Sequence, residues 1–288
     1  MTTMNTSLAT SAMLVSVNVS SWTAKKLARK ESDELTEGKQ ASKRAAQVHK
    51  NLLADDERLT RINKYAADIR NWLAFVTVPW SDSGMRIIST KQFMKFKQEL
   101  DYRKNVFDNL VAEFVQLYPT LISAQAFKLG SMFDRSEYPS PEEVASKFRV
   151  SYSFMPVPEV GDFRVDVADD IRAELEAHYE AEYQRRVEEI NRGHWERLRG
   201  VVQHMSERLG TDENGDKRVF HKQLVDNALE VCDLLKDTNV TNDPKLEKIR
   251  REFESAIMNV TTEELRKNDD IREDIKAQVD SLLDKFTW

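Results

Sequence analysis

The chain has 288 residues, of which 32% are charged and 40% hydrophobic, and it contains only 8 glycines and 7 prolines. This composition is typical of a soluble, helix-rich protein that is long enough to bury a hydrophobic core. The formal net charge of −6 excludes a general attraction to nucleic acid or anionic lipid, and the single cysteine excludes an intrachain disulfide and a multi-cysteine zinc site.

No apolar run reaches the roughly 18 residues that a membrane-spanning helix needs. Residues 1–13 are rich in serine and threonine and lack the basic and apolar regions of a secretory signal. We therefore expect a cytoplasmic location and no membrane contact.

The N-terminal part of the chain predicts a strand. Residues 13–19 alternate strictly, with three valines on one side. A lone strand is unstable, and the other alternating segments are 148–154 and 163–167, which are separated by a turn rich in Pro, Gly and Asp. We predict a small antiparallel sheet that joins the N-terminal strand to this central hairpin.

The region between these strands predicts helices. Two polar helices are expected over 22–37 and 39–53, and an amphipathic helix over 59–76, with Asp55 or Asp56 as its cap. Apolar residues over 93–117 follow a heptad pattern, which places Arg103 at a core position. A buried charge needs a partner, so Arg103 is expected either to pair with a glutamate of the next long helix or to lie at an interface. Pro119 is expected to interrupt this pattern, with a shorter helix over 120–129.

Residues 168–209 predict one long amphipathic helix. They contain no proline, and apolar or aromatic residues recur at helical spacing from Ile171 to Leu209. Such a helix is roughly 60 Å long, so we expect an arm or the spine of an oligomer. We further expect it to pack against the 90–118 helix as a long antiparallel, coiled-coil-like hairpin with the sheet at one end.

The C-terminal region is separated by a polar linker over 210–217. Three amphipathic patterns follow, which predict a C-terminal helical bundle. The expected domains are therefore 1–210, helical with the small sheet and the long arm, and 217–288. Capping boxes are predicted at Ser89–Gln92, Ser140–Glu143 and Thr261–Glu264. The fold class is mainly α.

The sequence predicts no catalytic residue, cofactor or metal. Phosphate-binding glycine loops, HExxH and GxSxG are absent. His178, His194 and His204 lie on the long helix too far apart to bind one ion within a chain, so packing or surface roles are favoured over a metal site at an oligomer interface. Cys232 lies in a helical apolar pattern and is expected to be a buried thiol.

Two groups of residues remain as candidates for interaction. The first lies in the basic stretches 25–30, 39–50 and 91–104, which suit either a solvated helix face or local contact with nucleic acid. The second lies on the long helix and suits protein contact. The candidates are Lys39, Lys43, Arg44, Lys91, Lys95 and Arg103 in the first group, and Tyr179, Tyr183, Arg186 and Trp195 in the second.

Four segments of the chain carry a resemblance to a known family. They are the strand and tryptophan over 14–26, the segment 73–84 with Val78-Pro79-Trp80, the Tyr118-Pro119 break and the linker 134–139. In these segments the chain resembles an uncharacterised family that is common in tailed phages and proteobacterial mobile elements. Genes of this family are often near a MoxR-type AAA+ ATPase and a von Willebrand factor A-type protein. The resemblance implies a non-enzymatic partner of an ATPase-driven remodelling machine, and, for a phage protein, the host cytoplasm.

We therefore expect a helical assembly protein that binds a protein complex, either as an adaptor of an AAA+ ATPase or as an inhibitor of a bacterial defence complex. Because the apolar and aromatic stripe of the long helix is wide, we also expect a homo-oligomer. The alternative is a protein that binds single-stranded or duplex DNA through its basic stretches. A metal-dependent enzyme is disfavoured.

Overall fold

Residues 8–82, 84–158 and 169–286 are described by a computed structural model, which is 65% helical and contains a small antiparallel sheet. The mainly α fold class is thereby confirmed. The chain forms two compact units. One comprises Met1–Ser16, Ala74–Lys95 and Ser153–Trp288, and the other comprises Val17–Leu73 and Phe96–Tyr152. The predicted division near 210–217 stays a prediction.

The main sheet has four strands. They are β1 (Ala12–Ser20), β4 (Val78–Pro79), β5 (Met85–Ser89) and β6 (Arg149–Pro156), in the spatial order β4-β5-β1-β6. The predicted N-terminal strand, the predicted strand over 148–154 and their presence in one sheet are confirmed. The second strand of the predicted hairpin, 163–167, lies outside the described residues.

Strand β5 was not predicted, although it is the antiparallel partner of both β1 and β4. Its register places Ile87 opposite Leu14, and both side chains are buried. The segment has only five residues and follows directly on a turn. Its isoleucines are adjacent, so the strand shows none of the alternation that marks a half-buried strand.

The predicted helix over 39–53 is wrong. Helix α2 (Arg29–Gly38) ends at the glycine, and β3 (His49–Asn51) pairs with β2 (Lys25–Leu27). The apolar residues of 39–48 are alanines and Val48, so a helix there would have only a small apolar face to bury. The predicted helix over 22–37 is shorter than expected, because β2 occupies its start.

Lysine 50 anchors this small ribbon. Its side chain is 7% exposed, forms an ion pair with Glu137, and donates a hydrogen bond to the carbonyl of Met132 at 3.0 Å. Lys26 reaches the same carboxylate at 3.8 Å. Lys26 and Lys50, which belong to the basic stretches 25–30 and 39–50, therefore stabilise the fold through Glu137.

Two helices of the first half differ in how well they were predicted. Helix α3 (Glu57–Val76) matches the expected pattern, and the carboxylate of Asp56 accepts a hydrogen bond from the Leu59 amide at 2.9 Å, which confirms the cap. Helix α4 (Phe93–Leu129) continues through Pro119, so the predicted break is wrong.

Packing explains why α4 continues. Tyr118, which precedes the proline, is fully buried and lies against Phe114 and Trp22, with ring centroids 5.9 and 6.0 Å apart. Ile122 is buried one turn later. Burial of large side chains on both sides offsets the roughly 3 kcal/mol that an interior proline costs a helix.

Helix α6 (Asp169–Leu209) confirms the predicted long helix, with 41 residues. Its antiparallel pairing with α4 stays a prediction. The other helices are short or belong to the C-terminal region: α1 (Leu8–Ser11), α5 (Pro141–Ser146), α7 (Leu224–Thr238), α8 (Pro244–Ile257), α9 (Thr262–Lys267) and α10 (Asp269–Leu283). Two of the three predicted capping boxes, at α5 and α9, are present. The third, Ser89–Gln92, is wrong: Ser89 ends β5, and its hydroxyl accepts a hydrogen bond from the Lys91 amide at 3.2 Å.

The C-terminal helices share one core with the last turns of α6. Leu198, Val202 and Met205 of α6 are fully buried among apolar residues of α7, α8 and α10. Cys232 is buried there as expected, and burial raises the pKa of its thiol to about 12. The long helix is therefore built into the C-terminal bundle over its second half.

Arg272 closes the C-terminal end of α6. The side chain is buried and donates hydrogen bonds to the carbonyls of Arg208, Leu209, Gly210 and Arg218, at 2.8–3.2 Å. These carbonyls lie at and beyond the helix end, where they have no intrahelical partner. A guanidinium there also complements the helix dipole.

Replacement of Arg272 by methionine is expected to lower the free energy of unfolding by about 3 kcal/mol, because buried carbonyls lose a charged donor. Urea denaturation followed by circular dichroism measures the change. The control is Arg251→Met, where the side chain is 71% exposed and paired with Glu247, and the expected loss is below about 0.5 kcal/mol. Equal losses in the two variants would contradict the role assigned to Arg272.

Candidate functional site

The predicted basic candidates are spread over separate parts of the chain. Lys39, Lys43 and Arg44 lie in the exposed turn region between α2 and β3, where Lys43 faces Glu37 at 3.9 Å. The structure gives this group no cleft and no aromatic neighbour among the contacts of the described residues.

The basic residues of α4 lie mostly in ion pairs within the helix. Lys97 pairs with Asp101 at 2.6 Å, and Lys104 pairs with Asp108. Lys91 and Lys95 are exposed near the start of the helix. The positive charge of this stretch is thus largely balanced along its own helix face.

Arg103 is held in a stack on α4. Its guanidinium lies 4.8 Å from the ring centroid of Trp72, which stacks on Phe96 at 5.2 Å, and its Nε is 2.7 Å from the carboxylate of Glu99. The expected glutamate partner therefore comes from α4 itself. The arginine caps an aromatic stack at the edge of the core.

Three candidates of α6 meet around Trp80. The ring of Tyr183 packs edge-on against Trp80, with ring centroids 6.1 Å apart. The ring centroids of Tyr179 and Tyr183 lie 6.4 Å apart. Arg186 lies over the Trp80 ring at 5.7 Å and donates a hydrogen bond to the Trp80 carbonyl. Sequence reasoning named the three α6 residues but missed Trp80, since a tryptophan after a proline in a turn gives no periodic signal.

These side chains line a cleft of about 470 Å³, which we call the Trp80 cleft; it is also lined by Pro158, Leu175, His178 and Glu182. The Tyr179 hydroxyl donates a hydrogen bond to the Pro158 carbonyl at 3.1 Å. Burial raises the pKa of Tyr179, and the hydrogen bond from Arg185 lowers the pKa of Glu182. The cleft thus combines apolar ring faces with a neutral hydroxyl, an arginine and an ionised carboxylate.

Trp195 lies three turns further along α6, at a second position of interest. Its indole N–H donates a hydrogen bond to the carboxylate of Asp243 at 2.9 Å, and its ring packs edge-on against Phe286 at 5.8 Å. The other oxygen of Asp243 accepts hydrogen bonds from the amides of Lys245 and Leu246 and caps α8.

Trp195 lines two open clefts. One has a volume of about 510 Å³ and includes Lys245, Lys248 and Phe286. The other is a shallow surface region of about 550 Å³ whose lining residues, among them Arg192 and Glu196, all belong to α6. Together with the Trp80 cleft, they place three clefts along one helix.

His194 is buried beside Trp195. It is 1% exposed, and neither ring nitrogen has a hydrogen-bond partner within residues 8–82, 84–158 and 169–286. Burial, and secondarily the charge of Arg197, lower the pKa of His194 to about 4, whereas Asp243 acts in the opposite direction. The packing role expected for this histidine agrees with its burial.

The described residues contain no group of three or more His, Cys, Asp or Glu side chains that could hold a metal ion. Among the same residues, no helix combines the length and apolar character needed to cross a bilayer. Comparisons with protein-family models, curated proteins and solved structures give no match to this chain.

The stability of the protein is expected to fall as the pH decreases from 6.5 to 4. The unfolded histidine binds a proton near pH 6.5, whereas His194 in the folded protein binds one only near pH 4. The unfolded state therefore holds more protons in this window, and the loss reaches on the order of 3 kcal/mol at its lower end.

Urea denaturation at a series of pH values tests this expectation. His194→Leu removes the titrating group at similar volume, so its free energy of unfolding should depend less steeply on pH than that of the wild type. The control is His178→Gln, which changes an exposed histidine of the same helix. Identical pH slopes for wild type and His194→Leu would rule out the assignment.

Proposed function

We propose that this chain is a non-enzymatic protein that binds and assembles with a protein complex, and that α6 is its contact helix. The observation that carries the proposal is the row of clefts along α6, around Tyr179, Tyr183, Arg186 and Trp195. Tyrosine, tryptophan and arginine are the residues that contribute most binding energy at protein interfaces.

The start of α6 supports this proposal. Side chains between Asp170 and Glu189 are exposed or half-buried, and the first fully buried residue of the helix is Ile190. Ile171 is 48% exposed and Leu175 is 38% exposed. Large apolar side chains left exposed on a helix are typical of a surface that a partner covers.

Within this proposal, the partner is an AAA+ ATPase for which the chain acts as an adaptor, or a bacterial defence complex that it inhibits. The resemblance to the phage and mobile-element family supports these two classes and a host-cytoplasmic location. The same proposal includes self-assembly into a homo-oligomer through α6. It also includes a coiled-coil-like hairpin of α4 and α6, and the lengths of these helices, 37 and 41 residues, support it.

The alternative of nucleic-acid binding has less support. Binding to phosphates relies on basic groups that reach the ligand. Lys26, Lys43, Lys50, Lys97 and Lys104 face carboxylates within 4.0 Å. The exposed groups through which this alternative would act are Lys39, Arg44, Lys91 and Lys95.

Replacement of Leu175 by glutamate is expected to reduce capture of the partner complex at least tenfold, because a charge enters the apolar contact face. The measurement is a nuclease-treated affinity pull-down of tagged protein from host cells, read by quantitative mass spectrometry. The matched control is Met258→Glu, which places the same charge at an exposed apolar residue directly after α8.

Three outcomes of this pull-down are informative. A complex that is lost with Leu175→Glu and kept with Met258→Glu supports the proposal. Equal capture by both variants would show that α6 is not the contact helix. Material that disappears on nuclease treatment would favour the nucleic-acid alternative. Light scattering over a hundredfold dilution tests the oligomer separately, and a constant monomer mass would count against it.

A further inference from the structure

A narrow cleft lies between the last turns of α6 and the start of α7, apart from the clefts at Trp80 and Trp195. Its volume is about 210 Å³, which corresponds to roughly seven water molecules of ~30 Å³ each. Met205, Phe220 and Leu224 are buried and form an apolar floor. The cleft has the size and the lining to hold one aromatic ring or a short hydrocarbon chain.

The polar residues at the rim are His204, Arg208, His221 and Asn227. Among the described residues, no aspartate or glutamate lines the cleft. This lining stands out because acidic residues outnumber basic ones in the chain, 49 to 43. Among the described ion pairs, Arg208 has no carboxylate partner, so its guanidinium is available to a ligand.

Two further cations lie against the floor of the cleft. The guanidinium groups of Arg272 and Arg266 lie 5.1 and 5.5 Å from the ring centroid of Phe220. Both donate hydrogen bonds to backbone carbonyls, and neither forms an ion pair within the part of the chain that the structure describes. Two positive charges therefore lie against the ring that forms the floor of the cleft.

The cleft is also held in its shape before any ligand arrives. Arg266 donates a hydrogen bond to the Phe220 carbonyl, and Arg272 fixes the carbonyls of Gly210 and Arg218 on either side of the turn that leads to it. A pre-formed site loses little conformational freedom on binding.

We propose that this cleft binds a small carboxylate with an apolar body, such as an arylalkanoate. The ring packs on Phe220 and Met205, and the carboxylate faces Arg208, whose planar guanidinium matches the two carboxylate oxygens. This site is separate from the contact surface on α6 and does not depend on it.

The test is a titration of the full chain, labelled with ¹⁵N, with 3-phenylpropanoate and with the uncharged 3-phenylpropanamide. We expect amide shifts at Val201, Arg208 and Val219 with the acid, and binding of the amide at least tenfold weaker. Arg208→Gln should weaken binding of the acid about tenfold. The control Arg199→Gln, at an exposed arginine of the same helix outside the cleft, should leave it unchanged.

A second variant keeps the test independent of Arg208. Val219 is 85% exposed, so Val219→Glu is expected to leave the fold intact while placing a repelling carboxylate at the rim, and binding should fall at least tenfold. Three results would overturn the proposal. They are equal affinity for the acid and the amide, unchanged binding of the acid by both Arg208→Gln and Val219→Glu, and no amide shifts up to about 20 mM acid. Tenfold tighter binding of the capped peptide acetyl-Gly-Phe-Asp-Gly-amide than of the acid would overturn it in favour of a peptide groove.

Discussion

The packing of the C-terminal helices depends on burying one side of α6, which is too long to be covered along its whole length. The second half of α6 supplies Leu198, Val202 and Met205 to the core shared with α7, α8 and α10. Isolated helices gain little stability in water, so this packing is what fixes α6. Arg272 then satisfies the carbonyls at its end.

The sequence predicted those elements whose own pattern decides their structure. Helix α6, the two capping boxes and β1 follow from spacing and local hydrogen bonding. The errors occurred where distant contacts decide. Pro119 stays within α4 because the burial of Tyr118 and its neighbours stabilises the helix by more than the missing hydrogen bond costs. Strand β5 forms because β1 lies beside it and pairs with it.

The candidate residues show the same division. Tyr179, Tyr183 and Arg186 were recognisable because they share a helix, but Trp80 comes from a distant turn and only the fold brings it to them. His194 looked like its exposed neighbours in the sequence, and its burial is set by the surrounding elements. The cleft of Phe220 was not predictable, since its walls come from α6, α7 and the residues between them.

The carboxylate of Asp243 joins two features that are otherwise distinct, the indole of Trp195 and the first turn of α8. Because one carboxylate serves both, a change that moves Asp243 away from the indole also disturbs the cap of α8, and fraying of that first turn releases the indole N–H. Thermodynamic linkage makes the two effects equal in free energy. The position of the Trp195 ring and the stability of the α8 N-terminus are thereby coupled through a single side chain.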